Sequence, residues 1–217
     1  MNNKQHKLIL LIVLIGTAYG LLPVAIAKAA DLFPPQRTID QVSEQMKLKL
    51  GSDQVPKDFA GITAVVEEII YPNVDFNRVS ALVLGKHWRT ASKEQKLRFR
   101  KEFQLLLIRT YARAFTEFND WTVSFLPMKM KDGSNKALVK TEVLQPGRPP
   151  VAVSYRMRLN KGEWKVYDII IEGISLVTNY RNSFKNEVKR SGSLDAVIEK
   201  LAERNEKALA QPVEKNS

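Results

Sequence analysis

Few residues in this chain could carry chemistry. There are two histidines, His6 and His87, and His6 lies at the edge of an apolar N-terminal run, so any Ser-His-Asp arrangement would rest on His87 alone. The absence of cysteine excludes a thiol nucleophile, a disulfide framework and a cysteine zinc site. Neither G-x-S-x-G nor a phosphate-cradling glycine loop occurs. Among the carboxylates, Glu67 and Glu68 are adjacent, point different ways on a helix and suit a solvated edge. Asp168 sits inside the apolar run Trp164 to Ile171, four residues before Glu172. Burial there would raise its pKa and make it an acid or base, with Tyr167 as its one neighbour for a reaction; the competing reading is a hydrogen-bonded structural acid. Nothing in this set assembles a reaction, and no metal or organic cofactor is indicated.

The elements that would position these groups follow an export signal. Lys4 and Lys7 precede a nearly unbroken apolar run, Leu8 to Leu22, which Pro23 ends. Ala27-Lys28-Ala29 then supplies the small residues a signal peptidase reads. The expected organisation is a signal peptide over 1–29, one domain over 30–210 and a frayed tail over 211–217. The run is short for a membrane span. Of 217 residues, 34 are Lys or Arg and 23 Asp or Glu, a formal charge of +11; subtracting Lys4, Lys7 and Lys28 leaves +8. Such a charge suits an anionic partner, and export favours lipid or an envelope protein over nucleic acid, for which the cations are also too dispersed.

Apolar spacing near 3.6 predicts helices over Arg37 to Leu50, around Ile62 to Ile70, over Phe76 to Val83 and, from the capping box Ser92-Lys93-Glu94-Gln95, over about Lys93 to Phe118. The long helix buries Phe99, Phe103, Leu106, Leu107, Tyr111, Ala114 and Phe118. From Trp121 the period becomes 2, predicting antiparallel strands over Thr122 to Phe125, Ala137 to Leu144, Val151 to Leu159 and Trp164 to Ile171. Pro146 to Pro150 reads as a stiff connection. The last strand reads as apolar on both faces and should be covered twice. Helices over Val177 to Lys189 and Leu194 to Leu209 follow. The class is α+β: N-terminal helices and a long central helix packed against a curved antiparallel sheet of about four strands, an NTF2-like cone, with C-terminal helices.

Trp88, Phe99, Phe103, Tyr111, Phe115, Tyr155, Met157 and Tyr167 face inward on this reading. They make either an ordinary core or the wall of an apolar cavity. With Lys86, Arg89 and Arg148 in adjoining loops, a cavity would have a cationic rim suited to an anionic amphiphile.

Two runs carry a resemblance. Ser80-Ala81-Leu82-Val83-Leu84-Gly85-Lys86-His87-Trp88-Arg89 has the form V-L-G-x-x-W/Y, and Trp164-Lys165-Val166-Tyr167-Asp168 through Glu172-Gly173-Ile174-Ser175 has the form W-x-V-Y-D-x-x-x-E-G-x-S. Together with Pro146-Gly147-Arg148-Pro149-Pro150-Val151, and with Gln95, Phe99, Phe103 and Tyr111, they resemble the MlaC, or toluene-tolerance, family over nearly the whole chain after the signal segment. The resemblance implies a monomeric periplasmic shuttle. It would carry phospholipid between an outer-membrane lipoprotein complex and the MCE-domain protein of an inner-membrane ABC transporter, without enzymatic activity. It also implies a deep cavity between sheet and helices, with Trp88, Tyr111, Val151 and Ile174 around it. Phe99, Phe103, Leu107, Val153, Tyr155, Met157, Tyr167 and Ile169 complete the expected lipid contacts. Lys86, Arg89 and Arg148 are expected to meet head group or partner. An exported adaptor for a partner helix is the alternative, and a small NTF2-like enzyme a weaker one.

Overall fold

Five of the seven α-helices among the described residues begin where a short polar side chain receives the orphan amides of a first turn. Asp58 accepts from Gly61 N–H at 2.7 Å, Asp75 from Arg78 N–H at 3.0 Å, Ser175 from Thr178 N–H at 3.1 Å and Ser193 from Ala196 N–H at 3.1 Å. The expected capping box is formed reciprocally: Gln95 N–H donates to Ser92 Oγ at 3.1 Å, and Ser92 N–H donates to Gln95 Oε1 at 2.9 Å. The computed structural model describes residues 32–52, 58–117 and 121–210, and side chains within all of these except 112–117. The signal segment, its cleavage site, the C-terminal tail, Phe118 and the side chains of Ala114 and Phe115 lie outside the described residues.

Over the described residues the order is α1 (Pro34–Leu50), α2 (Phe59–Ile69), a 3-10 turn (Tyr71–Asn73), α3 (Phe76–Leu84), α4 (Lys86–Thr90), α5 (Lys93–Glu117), β1 (Thr122–Phe125), β2 (Lys136–Gln145), β3 (Arg148–Asn160), β4 (Glu163–Ile171), β5 (Ile174–Ser175), α6 (Leu176–Ser191) and α7 (Leu194–Leu209). The five strands form one antiparallel sheet in chain order, so the class is α+β as read from the sequence, with β5 added to the expected four strands. The short helix α4 was not foreseen; Gly85, at φ +56°, breaks the continuity between α3 and α4. A fivefold loop at Pro146 to Pro150 was expected, but β2 and β3 run on until only Pro146 and Gly147 separate them, with Gln145 opposite Arg148. Gly147 at φ +71° supplies the left-handed turn position. Pro149 and Pro150 are tolerated in β3 because they fall at the register irregularity of the β2–β3 ladder, between the pairs Gln145–Arg148 and Val143–Val151, and because pairing with β4 begins only at Val153.

The helices pack into two cores. One joins α3, α5, α6 and α7 around Phe99, Phe103, Phe184 and Ile198; the other joins α1, α2 and α5 around Met46, Ile62, Val66 and Ile108. A third core lies on the sheet, where Ile39 of α1 covers Val139, Met157, Trp164 and Val166. Among the described residues α5 packs mainly on α2, α3 and α7, whereas α1, α3 and α6 make most of the helix contacts with the sheet.

Candidate functional site

The sheet's inner face depends on one irregularity. Arg156 lies opposite Asp168, but the next residue, Met157, lies opposite Val166. Tyr167 is therefore the extra residue of a β-bulge, and the alternation of β4 changes phase there. Trp164 and Val166 before the bulge, and Ile169 and Ile171 after it, all share the face carrying Met157, Tyr155 and Val153. The sequence reading, in which β4 is apolar on both faces, is corrected accordingly: four of its large apolar residues share the inner face, and the outer face holds Lys165, Ile170 and the buried Asp168.

One end of that inner face is closed. Val139 and Met157 are 0% exposed, and Trp164 and Val166 are buried. At the other end Val123, Val143, Val151 and Ile171 are half-buried and belong to none of the three cores of the described residues. Val123 pairs with Val143, Val143 with Val151, and Ile171 with Ile174, so the four continue one apolar surface to the rim, where Ile174 is 62% exposed. Tyr155 and Ile169 stand opposite each other where the closed and open ends meet. Burial pushes the Tyr155 phenol up, while its hydrogen bond with the Thr141 hydroxyl pulls the other way. Yet part of the Tyr155 surface remains accessible. Tyr155 and Ile169 both pack partly buried against the sheet core and mark the boundary between its closed and open ends.

The motif D-x-x-x-E-G-x-S builds the support for this face. Asp168 accepts from Arg156 Nη1 at 2.7 Å, from Ser175 Oγ at 2.8 Å and from Val177 N–H at 3.1 Å. It thereby ties the outer face of β4 to the first turn of α6, whose N-cap is the same Ser175. Glu172 stands at φ +48° and Gly173 at φ +80° in the β4–β5 turn. The Glu172 carboxylate accepts from Ala152 N–H at 2.5 Å, while its own N–H donates to Ala152 O at 2.9 Å. Of the two readings of Asp168, the structure supports the hydrogen-bonded structural acid. Glu68 pairs with Lys49 at 3.0 Å on the surface, Glu67 is exposed, and His87 is half-buried on α4. Among the described residues no group of three His, Asp or Glu could hold a metal.

The expected site residues fall into two sets. Val151, Val153, Tyr155, Met157 and Ile169 share the inner face, Met157 at its closed end, and Ile174 continues it at the rim. The other set lies among the helices. Phe99 and Phe103 are 0% and 1% exposed, stack at 5.6 Å and receive Phe184 edge-on at 5.1 and 5.7 Å. Their ring surfaces are covered by protein. Trp88, Leu107 and Tyr167 pack half-buried against the same core, with Lys96 5.6 Å above the Trp88 ring and Arg78 4.9 Å above Tyr167. Tyr111 is half-buried and hydrogen-bonded to Tyr180, itself edge-on to Phe103; burial, reinforced by Tyr180, pushes its phenol up to about 12. Lys86 and Arg89 are exposed on α4, and Arg148 is exposed at the start of β3, three residues before Val151. Sequence reasoning missed Val123, Val143 and Ile171 as members of the open end of this face. Their signal was alternation within the strands, which identifies a face without showing which end is covered.

Comparison with known proteins bears on this architecture. The intermembrane phospholipid transport system binding protein MlaC of Haemophilus influenzae is 24% identical over 200 residues, 91% of this chain and 90% of that protein. The toluene tolerance protein ttg2D of Pseudomonas putida is 30% identical over 172 residues, 78% of this chain and 79% of that protein. The structure of a phospholipid-binding protein from Ralstonia solanacearum, in complex with a phospholipid, superposes with a TM-score of 0.76 at 28% identity, covering 82% of this chain and 99% of the other. The family model described as MlaC protein matches residues 36–203, from the first turn of α1 to the last turns of α7, and the chain belongs to the MlaC family.

Proposed function

We propose that this protein is a periplasmic phospholipid carrier. In this reading it is exported with cleavage before Ala30, works as a monomer, and moves lipid between an outer-membrane lipoprotein complex and the MCE-domain protein of an inner-membrane ABC transporter. The observation that carries the reading is the open end of the inner sheet face, with Tyr155 deep in the fold yet partly uncovered. The named inner-face positions are apolar apart from the hydroxyls of Thr141 and Tyr155, which suits acyl chains and offers no acid or base for turnover. The lipid-contact role is assigned to Val123, Val143, Val151, Tyr155, Ile169, Ile171 and Ile174. Tyr111, Leu107 and Trp88 are helix-side candidates, and Phe99 and Phe103 form the helical core behind them. Arg148, beside the rim, is the candidate for head group or partner. What the Haemophilus and Ralstonia proteins are named for, phospholipid transport and phospholipid binding, supports the same assignment.

The energetics fit a carrier. Two acyl chains of roughly 32 carbons are worth on the order of 25 kcal/mol against water at about 0.8 kcal/mol per methylene. A bilayer offers nearly the same, so the protein has to imitate hydrocarbon rather than exceed it, and a surface of valine, isoleucine and tyrosine does that. Organic extraction of the purified protein followed by mass spectrometry tests the proposal: stoichiometric phospholipid is expected. A lipid-free protein that is equally stable with and without added phospholipid would favour the adaptor reading.

A further inference from the structure

The outer face of the sheet presents a different chemistry from the inner one. The register sets Lys136 opposite Arg158 and Arg158 opposite Lys165, a row of three cations straight across β2, β3 and β4. Side chains so paired stand about 5 Å apart, and like charges in that position destabilise a sheet. Lys165 is relieved by Glu163 at 2.5 Å and also donates to Pro72 O, but among the described residues neither Lys136 nor Arg158 has a carboxylate partner, so these two carry the uncompensated charge of the row. Asp168, the acid next along this face, is already held by Arg156 and α6. Glu142 lies at the far end of β2, opposite Ala152. Beside the row stands Leu138, 43% exposed and opposite Arg156. Lys165 also borders a groove of about 330 Å³, lined too by Asp75, which caps α3, by Arg100, held by Asn77 at 2.6 Å, and by the ring of Tyr71, whose buried hydroxyl lacks a protein partner among the described residues.

We infer that this row is a docking surface for an acidic helix of a partner protein, with Leu138 as its apolar anchor. Carboxylates at i, i+3 and i+4 on a helix lie about 5–6 Å apart, which matches the spacing of the cations. The groove favours a protein over a membrane, because a partner side chain can enter it and a flat bilayer surface cannot. The repulsion within the row is relieved only when the partner is bound, so the surface is poised for a partner and not for stability. The site lies on the face opposite the lipid-contact residues and stands whether or not the protein carries lipid.

The test uses two helical peptides of about four turns with the same four glutamates, gathered on one face in one and spread around the helix in the other. They are titrated into the purified protein at about 0.15 M salt, where charges more than roughly 8 Å apart are largely screened. The one-faced peptide should bind at least about tenfold tighter than its isomer, and K136Q/R158Q should remove at least about tenfold of that affinity. The matched control K185Q/K189Q, at exposed positions on α6, should change it less than about twofold. Because neutralising the row relieves repulsion, K136Q/R158Q should also melt no lower than the parent, which separates lost binding from lost folding. Equal affinity for the two peptides, or equal losses in the two variants, would overturn the proposal by reducing the effect to net charge. Row-dependent binding to vesicles of roughly one-third phosphatidylglycerol, without row-dependent peptide binding, would overturn it in favour of a membrane surface.

Discussion

A glutamate placed at each end of the inner sheet face should distinguish core from cavity. Val139 on β2 is 0% exposed and packed in the sheet core, whereas Val151 on β3 is half-buried at the open end. Fully burying a valine is worth about 1.5–3 kcal/mol, and an uncompensated buried charge costs about 3–5 kcal/mol more. Val139→Glu therefore costs roughly 5–8 kcal/mol, against a total stability of about 5–15 kcal/mol. Val151→Glu gives up about 1 kcal/mol of burial, and its carboxylate can hydrate once the space is lipid-free. With the strand-propensity loss, the cost is about 1–2 kcal/mol.

At about 2–4 °C per kcal/mol for a domain of this size, Val151→Glu should melt about 2–8 °C below the delipidated parent. The delipidated parent is the reference because bound lipid itself raises the midpoint. Val139→Glu should show little cooperative melting at all. Near-ultraviolet circular dichroism reads the fold, and phosphorus analysis of an organic extract reads bound lipid per protein. The expected result is a folded Val151→Glu protein with little lipid. The reasoning is refuted if Val151→Glu collapses as far as Val139→Glu, because the open end is then packed core, or if it stays folded and fully loaded, because Val151 then touches no lipid.

Three further outcomes follow from the hydrogen bonds and ionisation of the fold. Asp168→Ala orphans Ser175 Oγ and Val177 N–H and should cost about 3–5 kcal/mol by urea denaturation, with Asp168→Asn losing less; an unchanged midpoint in Asp168→Ala would show that the α6 clamp contributes nothing. Glu172 holds φ +48° while accepting from Ala152 N–H, so Glu172→Gly, which relieves the backbone at the cost of the bond, should be about 1 kcal/mol more stable than Glu172→Ala, and the reverse order would contradict a left-handed turn position. Burial raises Tyr155 and takes Tyr111 up to about 12, and between the ordinary tyrosine value of about 10 and that value the folded chain holds protons that the unfolded chain has lost. Stability from the Tyr111 phenol should be complete below about pH 10 and disappear as pH rises through about 12, with Tyr155 adding to the loss in the same direction; the urea midpoint should track this fall, Tyr111→Phe should flatten part of it, and an unaltered profile in that variant would mean that Tyr111 is not held in its neutral form.

Local rules reached most of the elements and stopped at pairing. The Ser92 box, the Ser193 cap and the spacing of α5, α6 and α7 are properties of a few neighbouring residues, so they could be read directly. The bulge at Tyr167 could not, because a period-2 pattern counts residues on one strand, whereas the phase shift exists only in the register between β3 and β4. The same limit explains Phe99 and Phe103. An apolar stripe says that a helix face is covered, but not whether Phe184 or a lipid covers it. Pro149 and Pro150 read as a loop because what allows them in β3, the irregular register with β2 and the late start of pairing with β4, is likewise a nonlocal fact.

The residues that made the family recognisable and those assigned to lipid contact are different residues, and the physics of each job explains why. Asp168, Glu172, Gly173 and Ser175 form a chain of specific acceptors, donors and positive-φ positions that ties β3, β4 and α6 together. A different side chain at any of them leaves a bond unmade or a backbone strained, so the motif has a definite spelling. Val123, Val143, Val151 and Ile171 need only be apolar and of suitable volume, since acyl chains make no directional bonds. Any β-branched or aliphatic residue meets that requirement, and the wall therefore has no motif. A binding surface of this kind is found from the covered and uncovered positions along a sheet whose orientation the motif holds, and the motif in turn contributes to binding by tying the first turn of α6 to Asp168, so that Ile169 and Ile171 remain turned inward.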